Sequence, residues 1–211
     1  MKRKLLKWML GVILVFISIV CLNAVIAFND PITPFTGRVV SVQIGDLITE
    51  SASELLQSAS EAFLFLNEVE IAEKNGLNVN AALQRVDMAA ARVEQAMRLF
   101  KDIIATGSEA GYEEKRIGRL KAFPYAQFAR DNGLSQETMR EVSGYLGRGN
   151  VLGFYRCHVR NLQALLDTLM RIRGDLLAGK RPENRVLWTL LQQYNATMMF
   201  GNYASMVFYK I

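Results

Sequence analysis

Apolar side chains recur along most of this chain at alternating intervals of three and four residues, and that spacing limits the fold more than any other feature. Ile48, Ala52, Leu55, Ala59, Ala62, Leu66 and Val69 follow a 4-3-4-3-4-3 order. Leu83, Val86, Ala90, Val93, Met97, Phe100 and Ile104 follow a 3-4-3-4-3-4 order. Residues three and four apart share one side of an α-helix, so each run is a stripe on one helix. Asn75-Gly76 is a stop signal between the two runs. Asn78 or Asn80 can cap the second helix, and Gly107 can end it. Two consecutive helices with matched seams and a short connection predict an antiparallel hairpin.

The pattern returns near the C-terminus. Tyr155, Val159, Leu162, Leu166 and Leu169 mark a helix over about Leu152–Leu177, ended by Gly179. Lys180-Arg181-Pro182-Glu183 reads as the next turn, with Pro182 at a first-turn position of the last helix. Leu187, Leu191, Tyr194, Met198, Gly201, Ser205 and Phe208 carry the heptad along that helix, about Glu183–Tyr209. The expected fold is all-α: an N-terminal transmembrane or signal helix, then an antiparallel four-helix bundle with coiled-coil-like spacing and a short helical insertion.

The expected division is 1–28 as signal-anchor or signal peptide, 29–45 as linker and 46–211 as the bundle. Asn29-Asp30-Pro31 and Thr33-Pro34 disfavour helix in the linker, where Val39–Val42 could form a brief strand. Residues 108–150 form an irregular helical arm, with a charged helix over Tyr112–Ala122, an interruption at Pro124 and glycines at 144, 147 and 149. Seven acidic residues and no basic one lie between Asp46 and Glu73. The third helix carries Arg156, Arg160, Arg171 and Arg173. Opposite charge therefore predicts the first helix beside the third, as an argument for partner choice and not for stability.

The formal net charge of +5 comes mostly from Lys2, Arg3, Lys4 and Lys7. Without those four the chain holds 21 basic and 20 acidic residues, too balanced for a nucleic-acid footprint. Trp8 to Phe28 is a 21-residue run with no charge. At about 1.5 Å per residue it is long enough to span a bilayer core. Cations before such a run keep the N-terminus inside and send the rest outward. Membrane contact is thus expected through residues 8–28. The bulk is expected outside the cytoplasm, with a bacterial periplasm or cell envelope the best match. Val25-Ile26-Ala27 is a small-residue cleavage signal, so the alternative is an exported soluble protein cut after Ala27.

The chemistry-bearing residues do not assemble into a familiar catalytic or metal pattern. One histidine, His158, and two cysteines rule out sites built from several imidazoles or thiolates. Glu54, Glu61 and Glu68 repeat at sevens but lack the Glu-x-x-His partners of a di-metal bundle, so they read as a solvated face. No metal site and no catalytic residue is expected. Cys157 and His158 are adjacent and so point about 100° apart on a helix. His158 is the one candidate for cofactor binding, as a lone axial ligand to non-covalent haem. No Gly-x-Ser-x-Gly elbow exists, and Gly147-Arg148-Gly149-Asn150 lacks the ending of a phosphate loop.

From Tyr194 to Ile211 only Lys210 is charged. An amphipathic helix should show a polar face, and this one is thin. Tyr194, Met198, Met199, Phe200, Tyr203, Met206, Phe208 and Tyr209 are the candidate interaction surface, since aromatic and Met side chains favour interface cores. Burial within the monomer and an apolar ligand pocket are the other two readings of this helix. The expected function is non-enzymatic: an anchored or exported bundle working through protein–protein contacts or self-association, as accessory or structural subunit of an envelope or membrane complex. The expected chain has no cofactor and no nucleic-acid partner. The alternative is a sensor-like module holding an apolar small molecule or haem in the bundle core.

Overall fold

The computed structural model describes residues 35–109, 140 and 151–208. They form four helices: α1 Phe35–Asn75, α2 Val79–Glu109, α3 Val151–Leu177 and α4 Asn184–Phe208. The described residues contain no strand. The helices touch in the ring order α1–α2–α3–α4–α1, with α1–α2 the richest seam and α1–α4 the sparsest of the four. Paired residues run in opposite order across each seam. Glu61 and Glu54 meet Arg85 and Arg92. Phe100 and Asp87 meet Tyr155 and Arg173. Phe154 and the Ala164 carbonyl meet Phe200 and Gln193. Neighbours are therefore antiparallel, and the architecture is a four-helix bundle.

Both hairpin turns lie at one end and contain left-handed glycines. Gly76 has φ 79° and Gly179 has φ 67°, a region where a Cβ is strained. At the end of α3 the Gly179 amide donates to the Leu176 carbonyl at 3.0 Å, and the Lys180 amide to the Asp175 carbonyl at 2.8 Å. That pair of bonds is the Schellman stop. Asn78 caps α2, its Oδ1 accepting from the Ala81 amide at 3.2 Å. At the head of α4, Glu183 supplies the carbonyl for Val186 and Leu187. Pro182 is buried one residue before Glu183 and outside the helix, not in its first turn.

Helix α1 is 41 residues long, roughly 60 Å at 1.5 Å per residue. It starts at Phe35, so 35–45 of the expected linker, including Val39–Val42, is helix. The prolines that break helix stop at 34, and Ile44, four residues before Ile48, is buried and extends the seam. Gly107 does not end α2; it is buried in the last turn of a helix that runs on to Glu109.

The seam of α1 also differs from the apolar stripe in the sequence. The buried positions are Ile44, Ile48, Ser51, Leu55, Ser58, Ala62, Phe65 and Val69. Ala52, Ala59 and Leu66 are only partly buried beside it. Two serines occupy the centre because small side chains let α2 come close, and α2 answers with buried Ala82, Ala89 and Ala96 at sevens. The buried hydroxyls are satisfied: Ser51 donates to the Ile48 carbonyl at 2.8 Å and Ser58 to the Ala89 carbonyl at 2.7 Å. Toward the head of α4, Val186 and Leu190 are buried and Leu187 is only partly buried; Tyr194, Met198 and Phe200 continue the buried face.

The charge expectation is overturned. Glu54, Glu61 and Glu68 of α1 pair with α2, and among the described residues α1 packs along α2 and α4 and not along α3. Arg92 reaches Glu54 at 3.0 Å, and Arg85 reaches Glu61 at 2.8 Å and Glu68 at 3.6 Å. The hydrogen bond to Glu61 raises the Arg85 pKa. Helix α3 gives Arg173 to Asp87 of α2 at 2.7 Å. Sequence neighbours joined by the short 76–78 turn take the contact first, and the glutamate heptad meets an arginine heptad running the other way. No helix among the described residues is long and apolar enough to cross a membrane. The segment 8–28 and, apart from 108, 109 and 140, the arm 108–150 lie outside the described residues.

Candidate functional site

Toward the end away from the two glycine turns, α2, α3 and α4 converge in an aromatic cluster. Phe154 stacks on Phe200 at 4.9 Å between centroids and 12° between planes. His158 sits between two rings. Its edge meets Phe100 at 4.4 Å and 84°, and it lies parallel to Phe200 at 5.7 Å and 1°. The imidazole is fully buried. Burial disfavours the charged ring and pushes its pKa down to about 3. Among the described residues neither Nδ1 nor Nε2 has a hydrogen-bond partner. Most buried polar atoms are paired, so this ring is an exception that calls for a cause.

A cavity of about 10 Å³ lies beside this cluster, lined by Ile48, Ser51, Ala52, Leu55, Phe100, Met198 and Gly201. Pockets that take cofactors or drug-sized ligands measure about 300–1,000 Å³. This cavity admits something the size of one water and has no room for haem, and His158 is not among its lining residues. Cys157 is buried and free of a disulfide. No group of three or more His, Cys, Asp or Glu among the described residues could hold a metal. Glu54, Glu61 and Glu68 form the ion-pair ladder with α2 instead of a purely solvated face.

Tyr194 marks the middle of the α1–α4 seam. Its hydroxyl lies 2.6 Å from Ser58 Oγ. Ser58 has one proton and gives it to the Ala89 carbonyl. The Tyr194 O–H is thus the donor to Ser58, and a hydrogen-bond chain runs from α4 through α1 to α2. Burial raises the pKa of this phenol well above its ordinary value, against the smaller opposing effect of the Ser58 bond.

The eight C-terminal residues singled out in the sequence divide into two sets. Tyr194, Met198 and Phe200 are buried in the bundle. The side chains of Met199, Tyr203, Met206 and Phe208, and all of Tyr209, lie outside the described part. Among the described residues Val42, Leu64, Ile71, Met88, Met170, Leu177 and Trp188 are the exposed large apolar side chains; Trp188 at 64% and Leu177 at 60% are the most exposed, and both lie near the glycine turns. Sequence reasoning passed over Trp188 because Leu187 beside it fitted the heptad. It also passed over Ser51 and Ser58, although their spacing of seven was the available signal. No family model, no curated protein and no solved structure matches this chain, so its function is argued from its own residues.

Proposed function

We propose that this chain is a non-enzymatic helical-bundle subunit, anchored or exported through its N-terminal segment, which acts by contacting a protein partner in a membrane or cell-envelope complex. Self-association is the form this takes if the partner is a second copy. The sequence supports the address: four cations within the first seven residues precede an uncharged run of membrane-spanning length. The single observation that supports contact is Trp188. A tryptophan left 64% exposed on a helix whose inner face is well buried is the residue type that most often anchors an interface. The outward side of α4 and the neighbouring end of α3, with Leu177, form the proposed contact surface.

Co-purification of the full chain from native membranes tests this reading. The expected result is a stoichiometric partner, or a dimer by light scattering, that Trp188→Ala weakens at least tenfold while the circular dichroism spectrum stays helical. A monodisperse monomer unaffected by Trp188→Ala sinks the proposal. N-terminal sequencing of the same material decides the address: a first residue of Phe28 means export with cleavage, and an intact N-terminus means an anchor.

The second reading, a small molecule held in the bundle, is favoured by one observation, the buried and unpartnered imidazole of His158. The cavity beside its aromatic cluster holds about 10 Å³ and so admits only a very small molecule.

A further inference from the structure

Exposed apolar side chains are unevenly placed along the bundle. Among the described residues only Val42 lies in the half that holds the start of α1. Leu64, Ile71, Met88, Met170, Leu177 and Trp188 lie in the half nearer the glycine turns and come from all four helices. Between Val42 and Leu64 the outward positions of α1 include Asp46, Thr49, Ser53, Gln57 and Ser60, all exposed. Lying along a bilayer takes an apolar side, and no helix shows one over its described outer length. Tyr194 is level with Ser58, so Trp188 on the antiparallel helix is level with Leu64. From Phe35 to Leu64, α1 rises roughly 45 Å at 1.5 Å per residue. Only residues 29–34 separate Phe35 from the uncharged run that ends at Phe28.

We propose that the bundle stands end-on from the membrane with α1 as its stalk, and that the Trp188 surface serves a different protein whose docking pocket is apolar, acid-rimmed and held well clear of the bilayer. This rests on the anchored form of the function proposed above. The rim follows from charge. Lys180, Arg181 and Arg185 lead up to Trp188 against one anion, Glu183, and all four are exposed. An indole anchors in an apolar pocket, and cations around it call for carboxylates across the interface. Tryptophan with cations also suits an anionic lipid surface. The height of Trp188 decides between the two, because it takes the indole out of reach of the bilayer that holds the anchor.

The chain has two tryptophans, Trp8 and Trp188, so each can be read alone in phosphatidylcholine–phosphatidylglycerol vesicles that carry dansyl headgroups. In the full chain with Trp188→Phe, Trp8 should transfer energy to dansyl. With Trp8→Phe, Trp188 should transfer none and should be quenched by aqueous iodide. Transfer from both overturns the stand-off and makes the bilayer the occupant, while the anchor survives. No transfer from Trp8 removes the anchor and the stand-off with it. Complexes recovered from native membranes test the rim. Lys180→Glu with Arg185→Glu should weaken the partner about tenfold, as Trp188→Ala does, and Lys180→Arg with Arg185→Lys should leave it in place. Loss with Trp188→Ala alone overturns the acidic rim but keeps the contact surface. Recovery of this chain alone, as a dimer, makes a second copy the occupant and overturns the choice of a different protein.

Discussion

The two seams of α1 are built on different terms. Against α2, the helix presents small side chains to small side chains, Ser58 and Ala62 to Ala82, Ala89 and Ala96, with arginine–glutamate pairs along the rim. Against α4 it presents the same serines, but the answer is large: Tyr194, Met198 and, behind them, Phe200 and His158. Small residues pack closely and leave little to adjust. Large residues of mixed shape leave a cavity, an unpaired imidazole and a hydrogen bond that must be placed. One helix thus has a seam held by fit and a seam held by a few particular atoms.

The largest test of that contrast is Phe200→Ala. It removes a fully buried ring stacked on Phe154 and parallel to His158. Loss of about 3–5 kcal/mol is expected from denaturant midpoints. A loss below about 1 kcal/mol would mean that the α4 side collapses readily and is less particular than described.

Acid should act next, through the same cluster. The folded-state pKa of His158 lies near 3, below the ordinary 6.5. Between those values the unfolded chain binds a proton that the folded chain refuses, so stability falls as pH drops through that window. The expected loss is roughly 3 kcal/mol by pH 4.5, at about 1.4 kcal/mol per pH unit. It is read as the difference between wild type and His158→Phe, because the carboxylates titrate in both. Parallel pH curves for the two proteins would refute it.

The hydrogen-bond chain gives a smaller effect with an internal asymmetry. Ser58→Ala strands the buried Tyr194 hydroxyl and should cost about 1–3 kcal/mol. Tyr194→Phe leaves Ser58 bonded to Ala89 and should cost about 1 kcal/mol or less. Equal costs would mean that the proton order along the chain is not as assigned.

The rim of the tight seam should give least. Arg85 and Glu61 keep about a third and a fifth of their side-chain surface. Removing the pair by Arg85→Ala is expected to cost about 0.2–1 kcal/mol, and the cost should shrink in high salt.

How much of this was legible in the sequence depends on the information that heptad spacing carries. Spacing located all four long helices, and Asn78, Gly76 and Gly179 set their turns as capping chemistry requires. It missed the true seam of α1, because a search for apolar residues steps over Ser51 and Ser58. Those serines are buried because α2 opposes them with alanine, a fact of pairing that no single helix contains. Charge pattern misled for the same reason: it counts signs along the chain but not which helix a three-residue turn puts nearest. His158 was visible as the only imidazole. Its environment was not, since it depends on Phe100 and Phe200 arriving from two other helices.

The arrangement of turns has one more consequence. Residues 35–109 and 151–208 each form a helical hairpin, and only residues 110–150 join them covalently. The contacts that unite the hairpins, α2 with α3 and α4 with α1, are no different in kind when the second hairpin comes from another copy of the chain. Of the two seams that unite the hairpins, α1–α4 is the sparser, while α2–α3 is richer than the seam within the second hairpin.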